Sequence, residues 1–144
     1  LAEVTRAFDV WGECTGITWI RSEEREGVDL VVAWHEEGRG GDEHNGVDDA
    51  EALFQFDGQG GALAHTGEGF IHLDAAERWQ LQGEASKDGR FYLLPVLAHE
   101  VGHALGLGHA KGGDALMSPY YNPDLVALTP ADVQAAKELF PDAQ

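Results

Sequence analysis

Residues 99–109 read His99-Glu100-Val101-Gly102-His103-Ala104-Leu105-Gly106-Leu107-Gly108-His109. Two histidines four apart on a helix differ by ~40° of rotation and lie one turn apart, so both imidazoles can reach one ion at ~2.0–2.1 Å. A third ligand from the next turn of the same face would be crowded. The chain must bend away, and Gly106 allows that through a left-handed conformation. His109 then returns from the other side. Three neutral nitrogen ligands leave a fourth position for water, the arrangement of a catalytic rather than a structural zinc. Glu100 directly follows the first ligand, where it can take a proton from that water. The expectation is peptide-type hydrolysis, with Glu100 passing the proton on to the leaving amine. A helix that merely contains two histidines would have no use for helix-breaking glycines at 106 and 108.

Working outward, the helix around this string runs from about Pro95 to Leu105. Pro95 is tolerated in a first turn, and Gly106 offers the stop. Residues 110–128 lack periodicity. Thr129 then reads as an N-cap, followed by Pro130 at the first helical position. Val133, Ala136 and Phe140 form one apolar stripe on that last helix. Upstream, Leu1, Val4, Phe8 and Trp11 recur at helical spacing. Ile17–Ile20 reads as a short strand, and Val28–Trp34 as an interior strand whose one polar member is Asp29. Residues 36–49 are a Gly- and acid-rich loop, and the Asp57–Gly61 run is a tight, wrapped loop. Short strands are expected at Ala62–Thr66 and Phe70–Leu73, and polar turns over residues 82–90. Neither repeats nor a linker divides the 144 residues, so one domain is expected.

Composition narrows the class further. Nine basic against 26 acidic residues give a net charge of −17, which argues against a nucleic-acid partner. The acidity serves solubility, or some of the carboxylates are calcium ligands. No apolar run approaches the ~20 residues of a membrane span. The chain opens on an amphipathic pattern rather than a leader, so it is expected to be a mature or excised domain. Cys14 is the only cysteine, which excludes an internal disulfide, and it reads as a small buried hydrophobe.

The 99–109 string matches the metzincin pattern, and Ala115-Leu116-Met117-Ser118-Pro119 resembles that clan's Met-turn. Within the clan the chain resembles a matrixin, the matrix metalloproteinase family. The supporting stretches are Phe8–Trp11, Phe56–His65 and His72–Trp79. Ala110 stands where astacins carry Glu and reprolysins usually Asp. The resemblance implies an α+β zincin fold: a twisted mixed sheet with two helices above (about 1–107), and a smaller lower part with Met-turn and final helix (about 108–144). It implies a secreted zinc endopeptidase, monomeric, acting on extended polypeptides. The competing reading is a catalytically inactive, metzincin-like peptide-binding module.

Carried over residue by residue, Met117 forms the floor beneath the catalytic zinc. Pro119, Tyr120 and Tyr121 wall an apolar pocket for the residue after the cut bond, with Pro95 nearby. Leu63 and Ala64 lie on an edge strand that pairs with substrate. A structural zinc is implied at His65 and His72, with His44 as a further ligand and Asp48 or Asp49, less so Asp42, as the carboxylate. The alternative for His44 is a solvated loop histidine. A structural calcium is implied at the Asp57, Asp74 and Glu77 side chains and the Gly58, Gly60 and Ala62 carbonyls; the alternative is a solvated acidic surface. The chain departs from the family in its short link from His65 to His72, in a missing glycine-rich second calcium loop, which leaves Asp29 without that role, and in Ala131, which leaves Asp132 as the only acid at that place on the last helix.

Overall fold

A computed structural model describes residues 2–35 and 62–143. Helix α1 (Ala2–Thr15) buries Ala7, Trp11 and Cys14. Val4 and Phe8 of the expected stripe pack partly buried against the same core, and Leu1 lies outside the described residues. The Trp11 indole N–H donates to the Ala98 carbonyl at 2.9 Å and so ties α1 to the helix of the histidine string.

Strands β1 (Val31–His35), β2 (Ala64–Gly67) and β3 (Phe70–Asp74) form a mixed sheet in the order β1-β3-β2. β1 runs parallel to β3, and β2 antiparallel to it, with His65 opposite His72. Two sequence expectations are corrected here. The inner strand is β3, all five residues of which are buried, whereas β1 is half-buried and, among the described residues, pairs only with β3. Ile17–Ile20 forms no strand. It alternates as a strand would, with Trp19 edge-on to Phe8 at 4.8 Å and Ile20 exposed, but it finds no partner strand among the described residues. Alternation specifies a half-buried extended segment, and only a ladder makes it a strand.

A two-residue turn, Glu68-Gly69, joins β2 to β3, with Gly69 at φ +81°. Strands β4 (Arg78–Gln80) and β5 (Arg90–Tyr92) form a small parallel pair that the sequence does not announce. β5 leads directly into α2 (Leu93–Ala104), which starts two residues before Pro95. Pro95 is harmless in the first turn because N–H groups there have no intrahelical acceptor. Leu94, Leu97, Ala98 and Val101 are fully buried beneath the sheet and against Trp11 and Met117. Helix α3 (Pro130–Leu139) begins at Thr129 in a capping box with Asp132 and rests Ala136 on the core.

Candidate metal centre

The end of α2 is a complete Schellman turn. Leu107 N–H donates to Gly102 O at 3.0 Å, Gly106 N–H donates to His103 O at 2.9 Å, and Gly106 holds φ at +102°. The chain therefore leaves the helix one residue after Leu105 and brings His109 back toward His99 and His103. The ligand nitrogens of these three all lie within 4.8 Å of one another, the one such cluster of three or more metal-binding side chains among the described residues. His103 Nε2 and His109 Nε2 are 3.1 Å apart. Corners of a tetrahedron centred ~2.0 Å from each nitrogen would be roughly 3.3 Å apart, so the pair fits a zinc site.

Two backbone carbonyls set the tautomers. His99 Nδ1 lies 2.7 Å from Leu116 O, and His103 Nδ1 lies 2.8 Å from Leu107 O. A carbonyl only accepts, so each Nδ1 carries the proton and each Nε2 keeps its lone pair for a metal. Burial depresses the basicity of His99 to about 4, against the opposing pull of the Leu116 carbonyl. Burial, then His103, also lowers His109. Both shifts favour the neutral ring, the form that binds metal.

Glu100 is buried beside these histidines. Burial raises its carboxyl above the usual range, while the Thr66 hydroxyl and His103 pull the other way. Met117 packs under α2 where Gly102 leaves room: a Cβ added at Gly102 would stand 2.3 Å from Met117 Sδ. The Met-turn is held by a residue whose role sequence reading missed. Asp132, 1% exposed, accepts from Leu116 N at 2.9 Å, Met117 N at 3.0 Å, Thr129 N at 2.9 Å and Thr129 Oγ1 at 2.7 Å. The spacing Thr129-x-x-Asp132 is a capping-box pattern and was the available signal.

A cavity of about 280 Å³ opens next to His99 and Glu100. Leu63, Ala64, Pro95, Pro119, Tyr120 and Tyr121 all line it, joined by Ser118 and Leu125. The Tyr121 hydroxyl accepts from Tyr92 N at 2.9 Å, which anchors that wall to the start of α2.

On the other face of β2, His65 Nε2 and His72 Nδ1 are 3.2 Å apart. His72 is buried, and burial, then His35, lowers His65 to about 4. The His35 ring stacks on His72 at 4.9 Å, a neighbour the sequence did not indicate. His44 and all three candidate carboxylates, Asp42, Asp48 and Asp49, lie outside the described residues. Asp74 is fully buried; its Oδ1 accepts from Ala76 N at 2.8 Å, and its Oδ2 is buried without a hydrogen-bond partner among the described residues. Glu77 is buried close by in sequence, and Ala62 is exposed at the start of the described segment. Asp57, Gly58 and Gly60 lie outside the described residues.

Comparison with known proteins places this architecture. The Matrixin peptidase family matches residues 1–141. The chain belongs to the matrixins. It is 34% identical to mouse stromelysin-3 and 36% identical to mouse interstitial collagenase A, with 95% of this chain covered in each case. Matrix metalloproteinase-B of Caenorhabditis elegans is 36% identical over 82% of the chain. The chain spans only 26%, 28% and 26% of these relatives' own lengths. Matrixins are zinc metalloendopeptidases of α+β metzincin fold, in agreement with the mixed sheet, the helices and the imidazole cluster.

Proposed function

We propose that this matrixin chain is the single catalytic domain of a secreted, monomeric zinc endopeptidase that cleaves extended polypeptides. The reading rests on one observation above the others: three imidazoles converge, two with their Nδ1 protons committed to carbonyls, beside a buried glutamate. A zinc ion would be held by His99, His103 and His109, where it would polarise a bound carbonyl and acidify water. Glu100 then takes a proton from the attacking water and returns it to the leaving amine nitrogen.

Substrate enters along β2. Among the described residues β2 pairs only with β3, so its other edge has backbone groups for an extended peptide to pair with. The side chain following the cut bond enters the cavity between Pro95 and Pro119–Tyr121, whose apolar walls favour a hydrophobic residue. No helix among the described residues is long and apolar enough to cross a membrane, and the charge of −17 disfavours nucleic acid.

The His65–His72 pair supports a second, structural zinc completed by His44 and Asp48. The buried Asp74 Oδ2, without a partner among the described residues, supports a calcium shared with Glu77, Asp57 and the carbonyls of Gly58, Gly60 and Ala62, since an isolated buried carboxylate oxygen is costly without a cation or donor.

A quenched-fluorescence peptide assay tests the core of this reading. Wild type should turn over and Glu100→Ala should lose at least about 100-fold. Equal turnover by both would remove Glu100 as base. Peptide binding with no turnover by wild type would identify a non-cleaving binding module instead. Mass spectrometry under native conditions should find two zinc ions per chain; one would leave His44, His65 and His72 without a metal.

A further inference from the structure

β2 alternates its side chains, so His65 and Thr66 face opposite ways. His65 meets His72 on one face. Thr66 points at α2, where its Oγ1 lies 2.6 Å from Glu100 Oε2 and 3.1 Å from the Glu100 carbonyl oxygen. A hydroxyl has one proton to donate. The shorter contact falls in the range of a charge-assisted O–H···O⁻ bond, ~2.5–2.7 Å, so the proton goes to the carboxylate. Among the described residues this is the one hydrogen bond that the Glu100 carboxylate accepts. Among the described residues no hydrogen bond reaches Oε1, and Glu100 lines the cavity beside His99.

We propose that Thr66 is a positioning residue for the hydrolytic reaction: its hydroxyl holds Oε2 of Glu100 against β2 and so assigns Oε1 to the reacting water. The proposal rests on the reading of Glu100 as base. A glutamate has several rotatable bonds, and fixing such a side chain costs rotamer entropy. Glu100 stands on a helix whose neighbouring residues His99 and His103 have their own carbonyl anchors. Thr66 is the corresponding anchor for the base, and it comes from the strand that lines the substrate cavity through Ala64, just after Leu63. Base and substrate-binding edge are thereby referred to one rigid element.

The test compares zinc-loaded wild type, Thr66→Val, Thr66→Ala, Thr66→Ser and Glu100→Ala on one peptide, with melting curves and zinc content for each. Val keeps the shape and removes the hydroxyl; Ala serves if Val does not fold; Ser restores the hydroxyl. A loss of aim by about 1 Å costs up to ~100-fold, so kcat should fall roughly 10–100-fold in Val and Ala with KM within about a factor of three, and Ser should stay near wild type. A second reading needs no metal. The infrared difference between metal-free wild type and Thr66→Val should show a shifted carboxylate band that vanishes when both carry Glu100→Gln. Wild-type kcat in Thr66→Val, equal losses in Ser and Val, or an unchanged carboxylate band would each overturn the proposal. Full activity in Glu100→Ala would overturn it by removing the base itself, an outcome distinct from a failure of Thr66 alone.

Discussion

Replacing Asp132 by Asn should weaken both the fold and the metal site. The carboxylate accepts four hydrogen bonds: three at Oδ2, from Leu116 N, Thr129 N and Thr129 Oγ1, and one at Oδ1, from Met117 N. An amide has one accepting oxygen. Its better orientation keeps the three contacts at the Oδ2 position and turns an NH2 toward the Met117 N–H. One buried donor is then orphaned, at about 1–3 kcal/mol, and three bonds lose their charge assistance at roughly 0.5 kcal/mol each. The sum is about 2.5–4.5 kcal/mol, a large part of the ~5–15 kcal/mol that holds a typical domain together. The effect reaches the metal because the same residue, Leu116, donates its N–H to Asp132 and offers its carbonyl to His99 Nδ1. Loss of such an orienting partner costs about 10–100-fold in metal affinity. Urea unfolding of the metal-free protein reads the first quantity, and competition with a chromophoric zinc chelator reads the second. A variant that loses less than about 0.5 kcal/mol, within ordinary surface-substitution effects, and keeps its zinc affinity would refute the idea that Asp132 props the Met-turn.

Gly106→Ala should cost about 1–2 kcal/mol, since φ stays at +102° and the new Cβ would meet Leu139 Cδ2 at 3.3 Å. Zinc affinity should fall with it, because the turn delivers His109; an unchanged chelator titration would contradict this. Acid should destabilise the metal-free chain. His99 is held at about 4 when folded against 6.5 as its ordinary value, so between these the unfolded chain binds a proton that the folded chain refuses. Stability is therefore full above pH 6.5 and is lost as pH falls toward 4, by at most about 3 kcal/mol from this group. His65 acts in the same direction, more weakly because it is more open to solvent. Urea midpoints that stay flat between pH 7 and pH 5 would speak against both.

The sequence made the helix of the histidine cluster legible because everything needed is local: a four-residue spacing, a glycine with its special φ, and the return of His109 within a few residues. The capped start of α3 is legible for the same reason. What depends on partners distant in sequence was not. Val28–Trp34 looks more apolar than Phe70–Asp74, yet β3 lies between two strands and β1 has one described neighbour. The β4–β5 pair consists of two three-residue strands whose parallel pairing leaves no periodicity to detect. Asp132 shows its cap in sequence but not its reach to Leu116 and Met117, and Thr66 reads as an ordinary strand threonine until Glu100 is seen opposite it. Cys14 is buried, as expected of a small apolar residue, and burial pushes its thiol up, away from reactivity.

The tight hairpin of β2 and β3 carries a consequence for how this segment can vary. With only Glu68-Gly69 at its tip, the ladder has no slack to absorb a frame change. Inserting one residue between Thr66 and the turn would swing the His65 imidazole toward the helix and the Thr66 hydroxyl away from it, reversing both faces at once. Length changes here are confined to even steps or to the segment's outer approaches.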